Sequence, residues 1–198
     1  MQKAAKGDDT RRHVLNTAME ILNTKGYAAT SISDIIEATG VKKGNLYFHF
    51  ASKEELAFAM IESARDEYNL YLSRSMKGAN PLAQLYSIFD AIYRFHKHKN
   101  FTGGCLFGNM ALELSDTSPR FRKLIDSVFT GWMKMFRKLY LDAQGQGLIK
   151  KHFSANELAA HTVALLEGAV MLSRSGADRS RFTACVSSLK KFLEAAAE

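Results

Sequence analysis

Ser31-Ile32-Ser33-Asp34-Ile35-Ile36-Glu37-Ala38-Thr39-Gly40-Val41-Lys42-Lys43-Gly44-Asn45-Leu46-Tyr47-Phe48-His49-Phe50 is the stretch that decides the fold. The Ser31 hydroxyl is placed to cap the backbone N–H of Asp34, which opens a short helix that ends at Gly40. A third helix then covers residues 43–49. Short helix, tight turn with a glycine, short helix is helix-turn-helix grammar. Val41, Leu46 and Phe50 recur at spacings that hold the third helix against the first two, which turns Lys43, Asn45 and Tyr47 outward or sideways. Lys42, Lys43, Asn45, Tyr47, His49 and Lys53 crowd into residues 42–53 with no acid among them. Exposed Lys, Asn and Tyr suit phosphate and base-edge contacts.

Helical period continues on both sides. A first helix is expected over residues 10–25, with Val14, Leu15, Ala18, Ile21 and Leu22 on one face and Gly26 as its left-handed stop. Ser52-Lys53-Glu54-Glu55 reads as a capping box opening a long fourth helix to residue 76. Asn80-Pro81 and Ser118-Pro119 each put proline at a first helical position, so neither of the two prolines interrupts a helix. With helices over 80–99, 105–114, 121–141, 154–174 and from 178 onward, the reading is all-α with about nine helices. The expected division is a helix-turn-helix head at 1–50, a connecting helix at 52–76 and a larger helical body at 77–198.

Composition narrows the class. The chain has 198 residues, 46% hydrophobic and 24% charged, an ordinary globular balance that excludes a disordered or collagen-like chain. Its net charge of +7 points toward polyanions. Residues 1–50 hold seven Lys and Arg against five Asp and Glu, so the local run from Lys42 to Lys53, and not global charge, singles out the head. Cys105 and Cys185 are far apart with no CxxC, which suggests neither a zinc module nor a disulfide framework. The start is polar, and residues 158–172 are too short and too polar (His161, Glu167) to span a bilayer. A reduced, cytoplasmic protein with no membrane contact is expected.

Thr10-Arg11, Val14-Leu15, Ala18, Ile21-Leu22, Gly26-Tyr27, Thr30-Ser31-Ile32, Asp34-Ile35, Gly40-Val41, Gly44, Leu46-Tyr47-Phe48-His49-Phe50 and Lys53-Glu54-Glu55-Leu56 together resemble the TetR family of bacterial transcriptional repressors. The resemblance implies a homodimer with two DNA-binding heads and a variable helical body that binds a small-molecule inducer. It places Thr30, Ser31, Lys42, Tyr47, His49 and Lys53 among the DNA contacts, chiefly at phosphates, with Lys43, Gly44 and Asn45 against the bases of a double-stranded operator. Two residues depart from the family pattern. Lys42 replaces the usual Ser before the recognition helix, and Ile36 replaces the usual Ala of the second helix.

In the body, Ala160, Ala164 and Gly168 form a small-residue row at i, i+4, i+8, flanked by Leu172. With Val186 and Leu189 of the last helix, they are the expected dimer face. Residues 121–140 read as apolar almost all round and therefore central to their domain. Trp132, Met133 and Phe136, with Phe107, Met110, His161 and Met171, are the candidate lining of a pocket for an apolar or electrophilic inducer. Cys105 would sit at a helix N-terminus after His96, Lys97, His98 and Lys99, surroundings that favour thiolate. The segment from Gly104-Cys105-Leu106 to Glu113-Leu114-Ser115 is similar to a TetR branch that includes the N-ethylmaleimide-reductase repressor, whose matching cysteine senses electrophiles. Cys185 reads as structural, and His96 and His98 as solvated histidines, since i and i+2 share no helix face. No catalytic constellation, cofactor motif or metal set is found. The alternatives are a helical protein-binding adaptor, for which the Lys42–Lys53 cluster is incidental, and an enzyme.

Overall fold

The computed structural model describes residues 2–196, with side chains from residue 7 onward. Among the described residues the regular structure is nine helices: α1 Gln2–Lys25, α2 Ile32–Thr39, α3 Lys43–His49, α4 Lys53–Ser75, α5 Pro81–His98, α6 Leu106–Leu114, α7 Pro119–Gly145, α8 Ala155–Ser175 and α9 Ser180–Ala195. The all-α expectation holds. The first helix starts earlier than residue 10, because the polar residues before it contain no proline to stop it. Met1, the very start of the segment read as a polar N-terminus, lies outside the described residues.

The helices fold into two compact units, Met1–Glu67 with Leu106–Ile125, and Tyr68–Cys105 with Asp126–Glu198. Two helices divide between them: α4 gives its first part to one unit and its last two turns to the other, and α7 divides after Ile125. In the first unit, Val14, Leu15, Ala18 and Leu22 of α1 are buried with Ile35 of α2, Leu46 and Phe50 of and after α3, and Leu56, Met60 and Ile61 of α4. Helix α6 also belongs here and packs on α1, with the Asn109 amide donating to the Asn23 side chain at 2.8 Å.

In the second unit α8 and α9 form the main pair, and α5 packs on α9. Helix α7 is not apolar all round. Its buried residues (Phe121, Leu124, Ile125, Val128, Trp132, Phe136, Leu139, Tyr140) recur at three and four, while Arg122, Lys123, Asp126, Lys134, Arg137 and Lys138 are exposed. Charges between the apolar residues give it an ordinary one-sided face. The Tyr140 hydroxyl pairs with Thr162 Oγ1 at 2.7 Å inside the core, and burial pushes its pKa up to about 12. In the last turn of α7, the buried Gln144 amide donates to the carbonyls of Lys150 (3.2 Å) and Phe153 (2.7 Å), which fixes the connection into α8. Among the described residues no helix is long and apolar enough to cross a membrane.

Candidate nucleic-acid interface and body cavity

The head is built by closing α2 firmly and leaving one face of α3 open. Ser31 caps α2 in a full capping box: its Oγ accepts from Asp34 N–H at 3.1 Å, and Asp34 Oδ2 accepts from Ser31 N–H at 2.6 Å. These bonds, with the Lys25 ammonium at 3.0 Å, hold the Asp34 carboxyl well below the usual carboxylate range. Gly40 ends α2 in the left-handed region (φ 65), which a glycine enters without strain. Helix α3 has no side-chain cap at Lys42, as its Ser-to-Lys departure implies. It is held by Leu46, which is fully buried, and by Phe50, whose ring lies under the Arg11 guanidinium.

That anchoring leaves Lys42, Lys43, Gly44, Asn45 and Tyr47 exposed, as expected, with His49 half-buried and Ser31 exposed at the start of α2. Gly44 has open space where a side chain would be, so another molecule's surface can reach the backbone there. The most exposed ring of the head is one the sequence reading passed over. Phe48 is 82% accessible, one turn from Gly44 and Asn45 on the same face. Its signal was legible, because Leu46 and Phe50 already supply the anchors and a third buried apolar residue at 48 fits no helical period.

Two residues expected among the DNA contacts bond the loop between α1 and α2. Thr30 is 1% exposed and its hydroxyl donates to Gly26 O at 2.7 Å, closing the loop between α1 and α2. Lys53 turns inward: its ammonium donates to the carbonyls of Tyr27 (2.9 Å) and Thr30 (2.8 Å) and lies 4.2 Å from the Tyr27 ring centroid. Both side chains build the loop that positions α2 and α3. Carbonyl oxygens at a loop need donors, and these two groups are within reach.

The same loop is gripped from a distant part of the sequence. Glu113 of α6 accepts from Ala28 N–H at 3.0 Å, and its carboxylate stands 3.0 Å from where a Cβ at Gly26 (φ 91) would fall. Arg120, at the start of α7, forms a bidentate pair with Glu55 and stacks its guanidinium 3.9 Å from the Phe58 centroid. The Arg120 hydrogen bonds hold the Glu55 carboxyl below its ordinary value.

In the second unit, Tyr68 and Leu72 of α4, Ile92 and His96 of α5, Trp132 and Phe136 of α7, and Val163, Leu166, Glu167 and Val170 of α8 line a cavity. It holds about 20 Å³ of room for water centres, so only small groups fit without movement of the rings. Of the residues expected at a pocket, Trp132 and Phe136 are here, and the Trp132 indole N–H donates to Asn69 at 3.2 Å. Met133 is half-buried, and Phe107 and Met110 are buried residues of α6 in the first unit. Met171 is 62% exposed and His161 is exposed against Phe192, so both belong to the outer face of α8 and not to this cavity. Helix α8 offers the cavity its 163–166–167–170 face, and residues 161 and 171 fall on another.

His96 corrects the expectation of a solvated histidine. It is 6% exposed, lines the cavity, stacks on Phe101 and has its pKa lowered to about 4 by burial and by the nearby Lys99 charge. Phe101, with Asn100 before it in the left-handed region (φ 59 and 48), turns the chain back over α5 and covers the ring. Sequence spacing missed this because the cover comes from the turn and not from the helix. His98 stays exposed. Glu167 accepts a hydrogen bond from Cys105, and burial nonetheless raises its pKa. The Tyr68 hydroxyl is held well above 10, chiefly by burial. Neither Cys105 nor Cys185 is in a disulfide. Among the described residues no group of three His, Cys, Asp or Glu could hold a metal ion.

On the outer face of α8, Ala160, Ala164 and Leu172 are exposed and Gly168 has open space at its Cβ position. Val186 and Leu189 differ from the expectation. They are buried with Phe182 and Leu193 in the stripe that α9 turns into its own unit, so they are core residues. The exposed side of α9 carries Ala184, Ser188 and Phe192.

Because folding holds His96 neutral below its ordinary pKa of 6.5, its contribution to stability is present above that value and fades as pH falls toward about 4. Glu167, raised by burial, acts in the opposite direction. Wild type is therefore expected to lose more melting temperature than His96→Phe between pH 7 and pH 5, measured by Trp132 fluorescence; parallel losses contradict the assignment.

Comparison with known proteins agrees with this geometry. Residues 14–60 match the family model for bacterial regulatory proteins of the tetR family, and residues 81–189 match the tetracyclin repressor-like C-terminal domain. The chain is 31% identical, over 83% of both chains, to an uncharacterized HTH-type transcriptional regulator from the lacX 3' region of Lactococcus lactis subsp. lactis. It is 26% identical, over 60% of both chains, to the HTH-type transcriptional repressor NemR of Escherichia coli, a distant homologue among several family members. A crystal structure of a TetR transcriptional regulator from Chloroflexus aurantiacus J-10-FL superposes with a TM-score of 0.89 at 32% identity, covering 96% of each chain. An open recognition face on an anchored helix-turn-helix, joined to a helical body whose family model spans more than half of the chain, thus has its explanation: the chain belongs to the TetR family of helix-turn-helix transcriptional regulators.

Proposed function

We propose that the protein is a cytoplasmic, homodimeric repressor that reads an operator with α3 and leaves it when the second unit takes up a small molecule or when Cys105 is modified. The observation that carries the reading is the exposed face of α3, where Gly44, Asn45 and Phe48 stand beside Lys42, Lys43 and Tyr47 while Leu46 is buried behind them. Asn45, Lys43 and Phe48 suit base edges and a thymine methyl, and Lys42 and Tyr47 suit phosphates. Ser31 and His49 flank this face; Thr30 and Lys53 support it from behind.

The exposed row Ala160–Ala164–Gly168 with Leu172 on α8, next to Ala184 and Phe192 on α9, suits a second copy of the same face. Small side chains let helices approach closely, and a two-fold axis would place two heads in major grooves about 34–36 Å apart. Release follows from α4. This one helix carries Lys53, which holds the head loop, and Tyr68 and Leu72, which line the cavity. A molecule that favours one position of Tyr68 therefore biases the helix that supports the head. Cys105 offers a second route, because it hydrogen-bonds Glu167 and immediately precedes α6, whose Glu113 grips the loop at Ala28.

Fluorescence anisotropy with duplexes tiling the DNA upstream of the gene tests the reading. Saturable binding to one near-palindromic duplex is expected, and uniform binding to all contradicts it. Lys42→Ala is expected to lower the salt slope by about one, and Phe48→Ala to cost about 1–3 kcal/mol on the operator alone. Ala164→Arg places a charge in the proposed dimer face and is expected to give a monomer by light scattering with loss of tight operator binding; an unchanged dimer sinks this face. N-ethylmaleimide is expected to release wild type from the duplex and to leave Cys105→Ser bound. Equal release of both removes the cysteine from the mechanism.

A further inference from the structure

Two polar groups, Glu167 and His96, line the cavity of the second unit, and neither has an ionic partner among the described residues. Glu167 presents its carboxyl there, and among the described residues no Lys, Arg or His lies within ion-pair distance of it. Glu167 is half-buried, and a carboxylate partly removed from water without a counter-charge leaves an electrostatic demand that a cation would meet. His96 lines the same cavity at 6% exposure, and among the described residues no hydrogen bond reaches its ring. Its depressed pKa makes it a neutral imidazole, with a lone pair able to accept a hydrogen bond. Tyr68, Trp132 and Phe136 supply aromatic walls, and Leu72, Ile92 and Val170 the apolar remainder.

The geometry points to a small organic ammonium ion as the ligand of this cavity, its N–H groups shared between Glu167 and the His96 imidazole and its apolar part set among the three rings. This rests on the reading of the second unit as the effector-binding part of the regulator. The chemistry discriminates among ligand classes. A carboxylate ligand would meet Glu167 with like charge and find no cation in the lining. A neutral alcohol could hydrogen-bond but would leave the carboxyl without a counter-charge. An ammonium ion supplies that charge, donates to both acceptors and is attracted to aromatic faces. The limited free volume, about 20 Å³ for water centres, favours a ligand of few atoms. The Cys105 hydrogen bond to Glu167 leaves the other lone pairs of the carboxyl available.

Trp132 is the only tryptophan in the chain and lines the cavity, so its fluorescence reports on this site alone. Full-length protein is titrated at neutral pH with n-butylamine, 1-butanol and butyrate, which match in size and differ in charge. Saturable quenching by the amine is expected at a concentration about tenfold or more below that for the alcohol, with butyrate weakest. In Glu167→Gln the amine should lose this advantage, to within about twofold of the alcohol. A response to none of the three, an alcohol or carboxylate bound as well as the amine, or a preference that survives Glu167→Gln overturns the proposal; the wild-type comparison stands even if the variant fails to fold. Operator binding by wild type is measured in parallel. If the operator is bound and the amine is not preferred, the ligand class is wrong and the regulator reading stands. If the amine is preferred and no operator is bound, the regulator reading falls and the ligand class stands.

Discussion

A seven-residue helix cannot hold itself together in water, and everything α3 presents outward depends on Leu46 being buried behind it. The helix has no side-chain cap at its start, so Leu46 and Phe50 supply almost all of its attachment. Truncating a fully buried leucine costs about 2–5 kcal/mol in well-packed cores, more than a short uncapped helix has in reserve. The exposed face of α3 is thus a by-product of a packing constraint. Once residues 46 and 50 point inward, positions 44, 45 and 48 must point out.

That constraint needs a fixed loop between α1 and α2, and the loop is fixed by charge-assisted hydrogen bonds more than by apolar contact. The Lys53 ammonium satisfies two of its carbonyls, Thr30 a third, and the Glu113 carboxylate one of its N–H groups. Each comes from a different part of the chain: the loop itself, the first turn of α4, and α6. These bonds account for why Lys53, which the resemblance puts among the DNA contacts, turns its ammonium toward the loop carbonyls.

The head was largely legible because its signals are local: a capping box, a left-handed glycine, and a 3.6 period that assigns 46 and 50 inward. Where the surroundings of a side chain escaped the sequence, its partner was a backbone carbonyl that composition does not reveal: Thr30 bonds Gly26 in its own loop, and Lys53 bonds Tyr27 and Thr30 far back in the chain. The body was legible in its elements and less so in its faces. Val186 and Leu189 form a correct apolar stripe, but one sequence cannot say whether a stripe meets its own unit or a second copy. His96 was misread because a turn of positive-φ residues, Asn100 and Phe101, folds back to bury it. Glu167 stands on an apolar helix face where composition alone suggests only a polar interruption, and its meaning comes from the rings and the imidazole around it.

The most direct measurement is a crystal structure of the protein bound to the duplex it selects. The account predicts two copies with α3 of each in successive major grooves, Asn45 and Phe48 at base edges, and Lys53 and Thr30 still bonded to the α1–α2 loop. A complex in which α3 lies off the groove, or in which Lys53 has left its carbonyls to meet a phosphate, would contradict it.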